Sequence, residues 1–347
     1  MRDDLPGHPD FCPLVRKTER LRAALAKNLA QRVQAIVGEH DAALLHRAAQ
    51  FLYLKETKSS FEIEREHPDR QRTRRFVELL RSTTSIPELS AATLVELQKS
   101  ILDPRYAKDG YRSDQNYVGQ TLTSYREHVH YVCPRPQDVD CLMAGWLRCN
   151  ARLAASTMDP VVQAAVLGFG FVYIHPFDDG NGRLHRYIIH HVLSRSGFTP
   201  EGLVLPVSAG MLARPRDYDS CLEAFSRPLL PLLDHHIDGS GRMTVHTDSI
   251  GLYRYFDATP AAEYLYETVE RTIDTDLRGE IDYLVRFDRA WRSIRDVVDM
   301  PDRRLELFLG ICMANGGRLS ASKRSQFAEL TDAEVARMEA ILRDADL

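Results

Sequence analysis

The chain has 347 residues and a formal net charge of −4, which comes from 45 lysine and arginine and 49 aspartate and glutamate residues. This length is enough for two or three domains that each bury a core of their own. The near balance of charge excludes a generally basic surface of the kind that attracts nucleic acid or anionic lipid, so a bound anion must be met by a local site.

Cysteine spacing and apolar stretches indicate the compartment. The six cysteines form no CxxC pair, and the start of the chain, MRDDLPGHPDF, lacks the apolar core of a signal peptide. The longest apolar stretch, residues 160–174, is shorter than the roughly 20 residues that cross a bilayer. These features predict a reduced, cytoplasmic protein without a membrane partner, and they leave a homo-oligomer open.

Helical periodicity dominates the first third of the chain. Apolar residues recur three or four positions apart in segments 21–37, 41–57 and 69–82. Residues 103–136 break this pattern with turn residues, aromatic residues and two β-prone pieces, which predicts an exposed loop or short hairpin.

The helical pattern then returns. Asp159 and Pro160 form a helix start, with Asp as the cap and Pro at the first helical position. This helix leads into the segment HPFDDGNGRLHR (175–186), and the next helix ends near Gly197. The segment is therefore predicted to be a loop that joins two helices. Glycines interrupt the pattern again at 236–251, and further helices follow to the end.

The loop concentrates groups that suit phosphate chemistry. Gly180, Asn181 and Gly182 allow successive N–H groups to face one concavity at the start of a helix, which favours phosphate binding. Arg183 and Arg186 are three positions apart, so they share a helix face and present two guanidinium groups to a polyphosphate.

Two further side chains complete the predicted site. Asp179 offers an oxygen ligand of the kind that Mg²⁺ uses when substrate phosphates and water fill the rest of its shell. His175 has an ordinary pKa near neutrality, so it can accept a proton from an attacking hydroxyl. We predict His175 as the general base, Asp179 as the metal ligand and Phe177 as a packing residue.

This segment resembles the signature of Fic-domain proteins, His-x-Phe-x-Asp/Glu-Gly-Asn-Gly-Arg-x-x-Arg, and matches it at every specified position. The resemblance to the Fic/Doc family implies an all-α core with a short β-hairpin flap. It implies transfer of AMP from ATP, with Mg²⁺, to a Ser, Thr or Tyr hydroxyl of a protein substrate or of the chain itself. It also implies that Asn181 and the glycine amides bind the α-phosphate region and that Arg183 and Arg186 bind the outer phosphates.

Several alternatives stay open within this resemblance. The branch of the family that phosphorylates its targets carries Lys at the position of Gly182, so the glycine favours nucleotidyl transfer. Members that use CDP-choline or UTP keep a similar loop, and some members remove AMP instead of adding it. A purely structural glycine turn is the alternative to a catalytic loop.

A second motif, KSSFEIERE (58–66), resembles the inhibitory helix of many Fic proteins, Ser/Thr-x-x-x-Glu-Gly/Asn, through Ser60 and Glu64. A carboxylate that pairs with Arg186 takes the place of an outer phosphate of ATP, because both anions bind the same guanidinium. The resemblance therefore implies autoinhibition by Glu64. Arg65 departs from the pattern, which puts the strength of inhibition in question, and an exposed amphipathic helix is the alternative.

Two other segments are candidates for substrate contacts. Residues 109–132 match the position of the Fic flap, and an exposed strand there could bind an extended target by strand addition, with a structural loop as the alternative. Tyr218 and Phe225 lie seven positions apart on a predicted helix. They are candidates for an adenine pocket, and packing in the core is the alternative.

Two rival functions have weaker support. Adjacent histidines at 190–191 and 235–236 suggest zinc, but neighbouring residues on a helix point in different directions and no HExxH is present. A DNA-binding regulator is the non-enzyme alternative, since 302–347 has a helix-turn-helix pattern. Seven basic and eight acidic residues in that segment disfavour binding to a phosphate backbone.

The patterns together predict three regions in an all-α protein. These are an amino-terminal helical region with the inhibitory helix (1–95), a Fic catalytic domain with its hairpin flap (96–235) and a carboxy-terminal helical accessory domain (236–347).

Overall fold

The computed structural model describes residues 5–86, 88–123 and 126–346, and it is built mainly of helices with two short antiparallel hairpins. The predicted all-α fold with a short hairpin is therefore confirmed. The described chain divides into two compact units. The first contains the stretch up to Glu39 together with Ala49–Asp276, and the second contains His40–Ala48 and the residues from Leu277 onward.

The predicted boundaries after residues 95 and 235 stay predictions, because the division into units follows contacts and not sequence patterning. Residues 49–95 and 96–235 belong to the same compact unit. Segment 58–66 and loop 175–186 therefore belong to the same compact unit.

Twelve α-helices begin before residue 277 in the described part of the chain, and the first turns of α3 belong to the second unit. They are α1 (Glu19–Ala26), α2 (Leu29–Gly38), α3 (Ala42–Ile63), α4 (Arg70–Arg81), α5 (Ala91–Ile101), α6 (Pro136–Ala154), α7 (Pro160–Ile174), α8 (Asn181–Arg195), α9 (Val207–Ala213), α10 (Pro215–Leu229), α11 (Ile250–Arg254) and α12 (Thr259–Arg271).

Two hairpins interrupt the helices. β1 (Tyr117–Thr123) pairs antiparallel with β2 (Arg126–Val132), and the two residues between them lie outside the described part of the chain. This hairpin falls within the predicted loop or hairpin region. A smaller hairpin of β3 (His235–Ile237) and β4 (Met243–Val245) occupies the second glycine-rich stretch.

The helix pair α7 and α8 forms the centre of the first unit and carries the catalytic loop between its members. α7 is apolar on all sides, and nearly all of its residues are buried. Asp159 caps it by accepting hydrogen bonds from the N–H groups of Val161 and Val162. Each fully buried Phe, such as Phe169 and Phe171, contributes about 1.5–3 kcal/mol of burial free energy. The loop is therefore anchored at both ends by well-packed helices.

The second unit is helical and has its own core. Its helices are α13 (Arg278–Arg295), α14 (Asp302–Met313) and α15 (Asp332–Asp344), and Phe308, Phe327 and Met338 are fully buried among them. Several of its arginines pair with carboxylates, which reduces the charge available to a nucleic acid backbone. These pairs are Arg286–Asp346, Arg295–Asp302, Arg304–Glu329, Arg324–Asp332 and Arg343–Glu339.

Within the described ranges, none of the helices combines the length and the apolar character that a bilayer span requires.

Candidate active site

The loop between α7 and α8 is held together by the side chain of Asn181. Its Oδ1 accepts a hydrogen bond from the N–H of Phe177 at 3.0 Å, and its Nδ2 donates to the Phe177 carbonyl at 2.7 Å. Asn181 is 2% exposed, and Phe177 is buried against Tyr111 and Phe171. The amide side chain is thus committed to the loop, which leaves the main-chain N–H of Asn181 for the phosphate role that the sequence predicted.

We expect Asn181→Ala to lower the free energy of unfolding by about 2 kcal/mol, because it leaves two buried main-chain groups of Phe177 without partners. Urea unfolding of the variant and the parent measures the difference. Asn315→Ala is the matched control, since its exposed amide bonds one carbonyl in the second unit. A loss no larger than that of the control would contradict the assigned role of Asn181.

His175 ends α7 in a left-handed backbone conformation with φ 51°. Its Nδ1 lies 3.2 Å from the carbonyl oxygen of Val172. Because a carbonyl only accepts hydrogen bonds, this contact places the proton of a neutral ring on Nδ1 and leaves the Nε2 lone pair as the acceptor. Burial lowers the pKa of His175 to about 4, against the opposing charges of Glu64 and Asp179. The imidazole is therefore neutral at pH 7, as a general base requires.

An arginine that the sequence analysis did not single out supports this loop. Arg112 is 4% exposed, and its Nε donates to the carbonyl oxygen of His175 at 2.8 Å. Its main-chain N–H donates to the carbonyl of Pro176 at 2.9 Å. No local pattern marked this residue, because both partners lie more than 60 positions away in the sequence.

Arg186 is fully buried and binds the end of α3. Its Nε donates to Ser60 Oγ at 2.8 Å, and its Nη2 donates to the Ser60 carbonyl and to Glu64 Oε1, each at 2.8 Å. The structure thus brings together the three residues Ser60, Glu64 and Arg186 that the sequence grouped. Within the described part of the chain, Nη1 of Arg186 has no hydrogen-bond partner, so the guanidinium retains one donor for another acceptor.

Gly182 makes room for this contact. A Cβ atom at that position would lie 2.0 Å from Oε1 of Glu64, which is far inside van der Waals contact. Any side chain at position 182 therefore conflicts with the observed place of the Glu64 carboxylate.

Glu64 is ionised at neutral pH in this environment. Burial raises the pKa of its carboxyl group, but the guanidinium groups of Arg186 and Arg183 outweigh that effect, and the net pKa lies below its ordinary value. The pair with Arg186 is therefore a charge-assisted hydrogen bond, which is stronger than a neutral one.

The other motif arginine also meets a carboxylate that the sequence analysis missed. Arg183 is 1% exposed, and its Nη2 lies 3.2 Å from Glu66 Oε1 and 3.2 Å from Asp179 Oδ1. Its guanidinium also stacks over Phe61, 5.4 Å from the ring centroid. The sequence offered one signal for this contact, namely spacing. Two glutamates lie two positions apart at 64 and 66, and two arginines lie three positions apart at 183 and 186, so that each glutamate can pair with one arginine.

The end of α3 explains why Gly or Asn suits the position of Arg65. The N–H of Arg65 donates to the Glu62 carbonyl, and the N–H of Glu66 donates to the Phe61 carbonyl. This is the Schellman pattern, in which the first of the two donor residues, here Arg65, is left-handed. Arg65 has φ 57°, a conformation that costs a residue with a Cβ about 1–2 kcal/mol.

A polar ladder connects α3 to α8. Glu56 and Ser60 on α3 and Glu64 just after its end follow one another at intervals of four residues. They contact His190, Arg186 and the backbone at Gly182 in the reverse order along α8, so the two helices run antiparallel. Glu56 is fully buried, with Oε1 2.7 Å from His190 Nε2. Both the hydroxyl and the N–H of Ser208 donate to the same carboxylate. α3 is therefore anchored to α8 two turns before Glu64.

We expect Glu56→Gln to lower the free energy of unfolding by about 3 kcal/mol at pH 7, because it removes a fully buried carboxylate that accepts hydrogen bonds from the N–H and hydroxyl of Ser208 and contacts His190. Burial raises the pKa of Glu56, but His190 and Ser208 outweigh it and hold the pKa below its ordinary value. The carboxylate thus contributes stability above about pH 4.3, and this contribution is lost as the pH falls through the lower folded-state pKa.

Urea titrations of the parent and the Glu56→Gln variant from pH 7 downward measure both effects. The difference between them narrows in acid, because a protonated Glu56 resembles glutamine. Glu62→Gln, an exposed change on the same helix, is the control and should stay within about 0.5 kcal/mol of the parent. A constant difference at all pH values would contradict a role for the ionised Glu56 carboxylate.

A cavity of about 440 Å³ opens beside the catalytic loop, within the range of small-molecule sites. It is bounded by the ends of α3 and α7, by both strands of the β1–β2 hairpin and by α10. Residues on its wall include Ile63, Val118, His130, His175, Leu222 and Glu223.

The two aromatic candidates for an adenine pocket pack elsewhere. Tyr218 contacts the rings of His185 and Phe169. The ring centroids of Phe225 and Tyr173 are 4.4 Å apart. Both rings thus pack in the aromatic core, as the alternative interpretation allowed. The contribution of α10 to the cavity wall comes from four other residues, namely Asp219, Leu222, Glu223 and Ser226.

Asp179 is the candidate metal ligand. Its side chain is 58% exposed, and its Oδ1 accepts from the N–H of Gly180 at 2.5 Å and pairs with Arg183. In the described ranges, no group of three or more His, Cys, Asp or Glu side chains forms a metal cluster. A single accessible carboxylate fits Mg²⁺, which proteins commonly hold through one or two carboxylates together with substrate phosphates and water.

The adjacent histidines on α8 have separate partners. His190 meets Glu56, and Nδ1 of His191 lies 3.2 Å from the Thr83 carbonyl. Their rings therefore do not converge on one point, in agreement with the geometric argument from the sequence.

One family model covers the loop, the helix before it and most of the helix after it. Residues 88–193 match the family model described as Fic/DOC family. The chain is 35% identical over 123 residues to the protein adenylyltransferase fic-1 of Caenorhabditis briggsae, which covers 35% of this chain and 22% of that protein. It is 34% identical over 116 residues to the protein adenylyltransferase Fic of Drosophila ananassae, with 33% and 21% covered. The chain thus spans less than a quarter of the length of these curated relatives.

Solved structures show the same fold. A Fic family protein from Desulfovibrio desulfuricans superposes with a TM-score of 0.53 at 20% identity, covering 96% of this chain and 89% of that one. A Fic domain containing signaling protein from Bacteroides thetaiotaomicron gives 0.52 at 17% identity, covering 76% and 97%.

Proposed function

Because residues 88–193 form a Fic/DOC domain, we propose that this protein is a protein adenylyltransferase. It transfers AMP from ATP to a Ser, Thr or Tyr hydroxyl of a protein substrate or of the chain itself. The observation that carries this proposal is the neutral His175, whose Nε2 is available as a proton acceptor beside a cavity of nucleoside size. The glycine loop and the two buried arginines follow it directly.

In the proposed reaction the target hydroxyl attacks the α-phosphorus of ATP, and Nε2 of His175 takes the hydroxyl proton. A bond forms between the target oxygen and phosphorus, and the bond from phosphorus to the bridging oxygen breaks and releases pyrophosphate. The main-chain N–H groups at the start of α8 bind the α-phosphate region, and Arg183 and Arg186 bind the outer phosphates.

Asp179 is the residue that would hold Mg²⁺ in this reaction. The ion, when bound, neutralises charge on the phosphates of ATP. The protein's own part is to present one accessible carboxylate at the foot of the phosphate-binding loop, where Arg183 contacts it and fixes its orientation.

Glu64 restrains the enzyme by occupying Arg186. The carboxylate and an outer phosphate compete for the same guanidinium, and the carboxylate has the advantage of being tethered. Glu66 adds a second anion on Arg183. Both arginines of the motif are thus neutralised by one helix end, and productive ATP binding requires that end to move.

Removal of AMP is the second candidate activity. It is favoured by the ionised Glu64 carboxylate near Gly182, since an ionised carboxylate can accept a proton from a water that attacks a modified hydroxyl. A non-enzymatic role of the carboxy-terminal helices in DNA binding has support only from the sequence pattern.

Mass spectrometry of the purified protein tests the choice of reaction and donor. The Glu64→Gly variant is incubated with Mg²⁺ and ATP, UTP or CDP-choline in separate reactions. We expect an adduct equal to AMP less water with ATP alone. An adduct formed with another donor but not with ATP would overturn the assignment. Loss of a pre-formed AMP adduct in the wild type would support the second activity.

A further inference from the structure

Arg112 occupies an unusual place for a buried charge. Its side chain is 4% exposed, and all three of its described side-chain hydrogen bonds go to main-chain carbonyl oxygens. Burial lowers the pKa of its guanidinium, so the site tolerates the charge only because these carbonyls solvate it. A buried cation held by neutral acceptors costs folding free energy, so its hydrogen bonds are expected to serve a structural purpose.

The three carbonyls belong to three separate segments. Nε donates to His175 at 2.8 Å, Nη1 to Asp114 at 2.9 Å and Nη2 to Pro134 at 2.5 Å. Asp114 lies just before β1, and Pro134 lies just after β2. One planar guanidinium thus links the residues that flank both strands of the hairpin to the carbonyl of the candidate base.

The same contact fixes the backbone of the base. The N–H of His175 donates to the Phe171 carbonyl at 2.9 Å, and its carbonyl accepts from Arg112, so both of its main-chain groups are engaged. The main-chain N–H of Arg112 holds the next carbonyl, that of Pro176. These bonds stabilise a left-handed conformation that a histidine rarely adopts.

From this geometry we infer that Arg112 is a positioning residue that sets the distance between His175 and the β1–β2 hairpin. The inference rests on the proposed function, in which His175 takes the proton of a hydroxyl and the hairpin bounds the cavity where that hydroxyl enters. Arg112 touches neither the phosphates nor the reacting atoms in this scheme. Its loss misplaces the base relative to the target and leaves ATP binding intact.

Two substitutions separate the effect of the branched guanidinium group from the effect of its charge. Arg112→Lys keeps the charge but has a single ammonium that cannot reach three diverging carbonyls, and Arg112→Gln removes both the charge and most of the donors. Arg135→Gln is the matched control, since Arg135 follows Pro134 directly but pairs with Asp138 and Asp248 instead of the loop. All variants are made in the full chain with Glu64→Gly, so that activity is measurable.

Auto-modification kinetics give the first readout. We expect kcat to fall about 10-fold in Arg112→Lys and about 100-fold in Arg112→Gln, because displacement of a reacting group by about 1 Å costs about that factor. The KM for ATP stays within about 2-fold of the parent, and Arg135→Gln retains the parent kcat. An equal rise in KM and fall in kcat would indicate general damage and would overturn the positioning role.

The second readout does not need activity. With ¹³C-labelled histidine, the ring resonance of His175 at pH 7, assigned with His175→Asn, shifts or broadens in both Arg112 variants and stays in place in Arg135→Gln. An unchanged resonance in Arg112→Lys and Arg112→Gln would overturn the inference even if AMP transfer is absent. If the resonance moves but no variant transfers AMP from ATP, the proposed function fails and the structural role of Arg112 stands.

Discussion

We expect Glu64→Gly to raise auto-modification with labelled ATP by about 10- to 100-fold. The substitution removes the carboxylate that holds Nη2 of Arg186 at 2.8 Å. A hydrogen bond between charged groups is worth about 1.5–3 kcal/mol, and each 1.4 kcal/mol is a factor of ten in the competition between carboxylate and phosphate. The initial rate of label incorporation at a fixed ATP concentration below saturation measures the effect.

Glu62→Gly is the matched control for this result. It introduces the same helix-weakening glycine two positions earlier and removes an exposed carboxylate. A comparable rise in the control would mean that a loosened helix, and not the loss of the Glu64 carboxylate, activates the enzyme. No rise in Glu64→Gly would contradict the inhibitory role.

Replacement of His175 has the opposite and larger effect. In the Glu64→Gly background we expect His175→Ala to lower the rate of AMP transfer by about 10²–10⁴, the usual contribution of a general base. ATP binding, measured by calorimetry, stays within a few-fold of the parent, because the phosphates are bound by the glycine loop and the arginines. The rate constant and the dissociation constant together separate proton transfer from binding.

The left-handed backbone of His175 calls for a second variant. Asn adopts φ values near 51° more readily than Ala does, so His175→Asn removes the base with less backbone strain. Both variants should lose activity equally, whereas His236→Ala, which changes an exposed histidine of the smaller hairpin, should lose none. Substantial activity in His175→Asn would mean that this residue shapes the loop without acting as the base.

Contacts within short segments were predictable from the sequence, and contacts between segments were only partly so. The loop between two helices follows from twelve consecutive residues, because its glycines, cap and arginines are local features. The pairing of Glu64 with Arg186 was predicted from the resemblance of segment 58–66 to the inhibitory helix of Fic proteins. The contacts of Glu66 with Arg183 and of Arg112 with His175 span 117 and 63 positions, and nothing in local periodicity specifies them.

The face of a helix can be predicted more easily than what that face meets. The spacing of Tyr218 and Phe225 correctly placed both on one side of a helix, but that side packs in the core. Asp219 and Ser226, each one position further along the helix and on the neighbouring face, line the cavity. Similarly, the motif marked Asn181 as functional, and only the structure shows that its amide supports the loop.

In the proposed autoinhibition, the ladder between α3 and α8 limits how Glu64 can release Arg186. Sliding α3 by one turn, about 5.4 Å, would separate the buried Glu56 from His190 and Ser208. Rotation as a rigid rod would do the same. The least costly route is to unwind the last turn from Arg65 backwards, where the strained left-handed residue already weakens the cap. In the proposed scheme, an activator therefore has to unfold only the last helical turn, and it need not displace the whole helix.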